Sequence, residues 1–79
     1  MSLTPDQFRA FLEARDLTQE GFAELLGASA RTGQRWANIA VPAPVDMVVR
    51  LLRERPELLD VVQRLAYERD HGWKSDVRR

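Results

Sequence analysis

The sequence predicts an all-α chain, a compact bundle of about five short helices in which the second and third are joined by a tight turn. Three observations predict it. Apolar residues recur at helical spacing through successive short windows. Most of these windows open on Thr, Ser or Pro, and the breaks between them fall at Gly27, Pro42, Pro44 and Pro56. No stretch alternates apolar and polar residues as a strand would, and there are no repeats or low-complexity segments.

The first helix is predicted from Pro5 to Ala14. Thr4 is placed to cap it, Pro5 suits the first helical position, and Gln7 completes a Thr-x-x-Gln capping box. Phe8, Phe11 and Leu12 share one face. The second helix is predicted from Gln19 to Leu26 with Thr18 as cap; Gly21 leaves its capping box incomplete. Phe22, Leu25 and Leu26 form its apolar face, Ala23 is small enough for another helix to approach, and Gly27 is free to take positive φ at the end. The third, Ala30 to Asn38, follows at once with Ser29 as cap. At about 100° per residue, Arg31, Gln34, Arg35 and Asn38 cluster on one side and Ala30, Gly33, Trp36 and Ala37 on the other. Trp36 is therefore expected to anchor the helix in the core. A fourth helix is predicted from Pro44 to Arg53 through Val45, Val48, Val49 and Leu52, and a fifth from Pro56 to Glu68. The predicted organisation is a domain over 1–68 and a polar tail over 69–79 that frays.

With 79 residues the chain is one domain at most, and its core is modest. No cysteine is present, which removes disulfides and thiolate metal sites, and a lone histidine, His71, is a poor start for any other metal site. No cofactor is expected. A partner subunit is the expected source of extra stability. The fifth helix is too broadly apolar to be covered by one side of a small bundle, so Leu58, Val61, Val62 and Leu65 are the expected dimer contact. Trp73, in the charged tail, reads equally as part of a dimer contact or as a partly exposed tail aromatic. No apolar run approaches the ~18 residues of a membrane span and no leader pattern opens the chain, so a cytoplasmic location is expected.

Net charge is zero, but its distribution is uneven. Residues 1–26 carry two arginines against five acids, whereas residues 27–45 carry Arg31 and Arg35 and no acid. The acid-free stretch coincides with the third helix. Two short helices joined by a Gly-containing turn form a helix-turn-helix layout. The B-DNA major groove, about 12 Å wide, admits one such helix.

The segment LTQEGFAELLGASARTGQRWAN, Leu17 to Asn38, followed by VPAPVDMVVRLL, resembles the Cro/CI (XRE-type) helix-turn-helix family. The resemblance extends over about residues 3–59 and rests on Gln19, Ala23, the run Leu26-Gly27-Ala28-Ser29, Trp36 and Asn38. It implies a sequence-specific DNA-binding regulator, a homodimeric repressor on an inverted repeat, with double-stranded DNA as partner. It would place Ala30, Arg31, Gln34 and Arg35 at base edges, and Gln19, Ser29, Thr32 and Asn38 near phosphates or the groove rim. Arg can pair bidentately with guanine and Gln with adenine, and Ala can touch a thymine methyl. Two positions depart from the family's pattern: Gly33 stands where an aliphatic residue is usual, and Ile39 where a glycine is usual. Gly inside a helix costs about 1 kcal/mol against Ala, so Gly33→Ala is expected to stabilise the chain by roughly 0.5–1 kcal/mol.

The alternative is a protein-binding module, such as an antitoxin gripping a partner with its fifth helix and tail. Ser29, His71 and an acid supply the residue types of a hydrolytic triad, but no spacing unites them and Ser29 has a capping role, so no enzymatic activity is expected.

Overall fold

The structure is a computed structural model that describes residues 3–72. The chain forms α1 (Pro5–Ala14), α2 (Gln19–Leu25), α3 (Ala30–Asn38), α4 (Ala43–Glu54) and α5 (Leu58–Tyr67), and α5 runs on into a π-helical turn, Glu68–Gly72. No strand occurs among the described residues. The all-helical bundle is the one the sequence predicts.

The helix ends follow from local chemistry. Thr4 is extended (φ −84°, ψ 159°) and accepts from the Gln7 N–H at 3.1 Å, while the Gln7 side chain accepts from the Thr4 N–H at 3.0 Å. This closes the predicted capping box. Thr18 caps α2 through the Gly21 N–H at 2.9 Å, and Ser29 caps α3 through the Thr32 N–H at 3.2 Å. α1 and α2 end in the same way. At the end of α2, Gly27 takes φ 87°, its N–H donates to Glu24 and the Ala28 N–H donates back to Ala23 at 2.8 Å. At the end of α1, Asp16 takes φ 58°, with the Asp16 N–H on Glu13 and the Leu17 N–H on Leu12 at 2.9 Å. Both are Schellman closures, and Asp can enter the left-handed region that other side chains avoid.

The core is built around aromatic rings. Phe8 is fully buried and meets Phe22 and Trp36 edge-on, with centroids 5.8 and 6.2 Å away; Phe11 meets Phe22 at 5.7 Å. Edge-to-face pairs add about 0.5–1.5 kcal/mol each to the burial of the rings themselves. Trp36, 7% exposed, is the core anchor that its position on α3 predicts. Val45, Val49 and Leu52 close the core from α4. Asp46 is buried in the first turn of α4, where the helix dipole favours an acid, and the Arg50 guanidinium pairs with it at 2.7 Å.

Several boundaries and one face differ from the sequence reading; α4 and α5 end one residue from their predicted ends, at Glu54 and Tyr67. α2 ends at Leu25, with Leu26 as its cap residue, and α4 begins at Ala43, before Pro44. α5 begins at Leu58 and not at Pro56. Arg55, preceding proline, is held out of the helical region (φ −131°, ψ 79°), and Pro56 and Glu57 form a turn instead. Of the four residues expected at a dimer contact, Leu58 and Val62 pack against the chain's own core beside Leu59. Val61 is half-buried and Leu65 is 54% exposed, so only part of that face is turned outward.

The first residues of the expected tail, Arg69 to Gly72, lie in the π-helical turn. Arg69 reaches back across the bundle and donates to the carbonyls of Leu25 and Glu24, both at 3.2 Å. These carbonyls belong to the last turn of α2, which has no basic residue of its own. A cation there adds a donor to these carbonyls, of which that of Glu24 already accepts from Gly27, and opposes the negative end of the helix dipole. Asp70 bonds the same guanidinium and raises its already high pKa. Helical structure and these contacts thus continue past residue 68, as far as Gly72. Trp73 and the rest of the tail lie outside the described residues.

The Arg69 contacts are partly exposed, so they respond to salt. Arg69→Ala should lower the melting temperature at low ionic strength, with a smaller loss at about 1 M salt. An equal loss at both would assign Arg69 a packing role instead of a capping one.

Candidate nucleic-acid interface

The candidate site is the outer face of α3, and its position is set by how closely α3 lies on α2. Gly33 is buried at the crossing of the two helices. A Cβ built on it would lie 2.3 Å from the Gln19 carbonyl oxygen and 2.8 Å from the Ala23 Cβ. No side chain fits there. The α3 backbone rests directly on the first turn of α2, beside the small side chain of Ala23. The expectation that Gly33→Ala stabilises the chain is thereby overturned: contact between the two helices outweighs the intrinsic helix penalty of glycine. The signal was present in the sequence as two small residues, Ala23 and Gly33, one on each helix.

With Gly33, Trp36 and Ala37 facing inward, Arg31, Gln34, Arg35 and Asn38 are all exposed. Arg31 and Arg35 are one turn apart, about 6 Å along the axis. Neither makes a hydrogen bond or ion pair among the described residues. In contrast, Arg9, Arg15, Arg50, Arg55 and Arg69 are each engaged within the fold. Ala30 is half-buried at the start of the helix, between the two faces.

The residues expected near a groove rim are less free. Ser29 Oγ serves as the α3 cap and shares a hydrogen bond with Thr32 Oγ1 at 3.0 Å. Asn38 donates from Nδ2 to the Gln34 carbonyl at 2.8 Å, which leaves its Oδ1 outward. Gln19 is half-buried at the head of α2. Ile39 ends α3 in the right-handed region (φ −117°, ψ −63°), with its N–H on the Arg35 carbonyl at 2.7 Å and the Ala40 N–H on the same oxygen at 3.2 Å. The turn is made without positive φ, so it does not require the glycine of the family pattern. The Ile39 side chain is left 66% exposed.

Two residues absent from the sequence-derived site shape it. Arg9 of α1 donates to the Ala37 carbonyl and pairs with Asp6, which fastens the C-terminal turn of α3 to α1. Glu20 of α2 accepts from Gln34 Nε2 at 3.2 Å. Its carboxyl is held below the ordinary value first by a hydrogen bond from its own backbone and then by the one from Gln34, partly offset by desolvation. Periodicity could not find either residue, because each acts on a different helix.

A shallow groove along α1 and the head of α2, lined by Leu12, Glu13, Asp16 and Thr18 among others, reaches the border of the α3 face at Arg9, Gln19 and Glu20. Among the described residues no three potential metal ligands come together, and no helix is long and apolar enough to cross a membrane. Comparison with protein-family models, curated proteins and solved structures gives no match.

Gly33→Ala forces a backbone shift at the α2–α3 crossing. It should cost about 1–3 kcal/mol from overpacking, of which helix propensity returns at most about 1 kcal/mol. A lowered thermal midpoint is expected, and Gly33→Val should lower it further.

Proposed function

We propose that the chain is a sequence-specific DNA-binding regulator that inserts α3 into the major groove, as a homodimeric repressor on an inverted repeat. One observation carries the reading. The exposed face of a short, well-anchored helix holds two unengaged guanidinium groups and an amide, on a segment that contains no acid. Those are the groups that read base edges: bidentate Arg on guanine O6 and N7, and Gln on adenine N6 and N7. The resemblance of Leu17 to Asn38 to the Cro/CI-type pattern supports the same assignment. A cytoplasmic location accompanies this reading. Net charge gives no general attraction to DNA, so affinity would come from a few placed cations. The homodimer would join two copies through α5 at Val61 and Leu65. Two recognition helices would then lie about 34 Å apart, one helical turn of DNA.

Selection from random duplexes is expected to return a two-fold motif with half-sites centred about 10 base pairs apart. On that site, Arg31→Ala and Arg35→Ala should each cost about 1–3 kcal/mol and relax preference at one base position per half-site. An arginine that meets only phosphate would instead weaken all sequences alike and reduce the salt slope by about one charge. Titrations against matched and scrambled duplexes at two salt concentrations separate these outcomes. If both variants bind the matched duplex like the parent, α3 is not the reading head, and the exposed apolar residues Leu65 and Tyr67 direct attention to a protein partner.

A further inference from the structure

Glu20 stands out because it places an acid beside a face that otherwise carries none. It lies in the first turn of α2, where the helix dipole and its own backbone hydrogen bond keep it ionised. The Gly33 crossing sets that turn against α3, which brings the carboxylate within 3.2 Å of Gln34 Nε2. An ionised carboxylate can only accept, so the Gln34 amide has one permitted orientation: nitrogen toward Glu20 and oxygen away. One Nε2 hydrogen is engaged by Glu20. The second hydrogen and Oε1 stay available, and together they form the donor–acceptor pair that adenine N7 and N6 require.

We propose that Glu20 is a positioning residue that fixes the Gln34 amide in advance as an adenine reader, and so sets base specificity from outside α3. This deepens the DNA-reading function proposed above and rests on it. A free glutamine side chain loses rotamer entropy when it is pinned at an interface. Glu20 places much of that loss in folding, before DNA arrives. A freely rotating amide can also present either end to a base, accepting from one and donating to another; the held amide presents one pattern.

Three variants test the direction of the hydrogen bond. E20A removes the acceptor, E20Q removes the charge and sets a donor beside the acceptor, and Q34A removes the reader. The probes are the duplex selected by the parent protein and its single-base variants. E20A should reduce discrimination at one adenine position per half-site by about twofold to tenfold, the range of one net hydrogen bond. E20Q should lose a similar share of that discrimination, because its amide can donate to Gln34 Oε1 as well as accept from Nε2 and no longer fixes the orientation. In the Q34A background, E20A should change nothing further at that position. In the free protein, the Gln34 side-chain Nε2–H resonances should be displaced from free-glutamine positions in the parent and return toward them in E20A and E20Q. E20A that discriminates like the parent, while Arg31→Ala and Arg35→Ala lose preference, would overturn the role of Glu20 and leave the DNA-reading function standing. A parent protein that selects no motif would overturn both. Matched thermal melts of E20A and parent ensure that the readout is not loss of fold.

Discussion

The arrangement depends on one missing atom. At Gly33 there is no Cβ, and the α3 backbone occupies the space that a side chain would need, against the Gln19 carbonyl and Ala23. Everything on the outer face of α3 takes its position from that contact. The crossing turns Trp36 and Ala37 into the core, and so turns Arg31, Gln34 and Arg35 out. It also sets the head of α2 beside Gln34, which makes the bond from Glu20 possible. Close-packed interiors transmit changes of a single methyl group, so a shift here would move the whole face.

A domain of this size gains much of its order from how its helix ends are finished. α1 and α2 share a Schellman closure, one built on Asp16 and the other on Gly27. α3 ends under the guanidinium of Arg9, and α2 under that of Arg69. Each arginine comes from another helix or from the turn that continues it. They donate to carbonyls of the last helical turns, and they tie elements distant in sequence into one body. The aromatic cluster of Phe8, Phe11, Phe22 and Trp36 supplies the burial that holds those elements together.

Charge is placed rather than abundant. Five arginines are spent on internal contacts, while Arg31 and Arg35 on α3, like Arg53 and Arg64, make no hydrogen bond or ion pair among the described residues. A chain of zero net charge can still present a cationic face, because electrostatic recognition depends on which charges remain unpaired and where. Glu20 is the exception at the border of that face, and its carboxylate gives a neighbouring amide a direction.

Local chemistry is legible in the sequence by itself. The caps at Thr4, Thr18 and Ser29, the positive φ at Gly27 and the inward face of Trp36 depend on residues within a turn or two of one another. The bounds of α1 and α3 and the exposed set Arg31, Gln34, Arg35 and Asn38 follow from the same short-range rules. Tertiary structure alone decided what depends on neighbours far along the chain. Gly33 reads locally as a weak helix residue, and only the approach of α2 makes it indispensable. Leu58 and Val62 read as a free apolar stripe until the core is seen to cover them. Arg69 reads as a fraying tail until the carbonyls of Glu24 and Leu25 are found within its reach. Periodicity records which side of a helix is apolar. It carries no information on which other helix lies there, or at what distance, and those two quantities set the geometry of the α3 face.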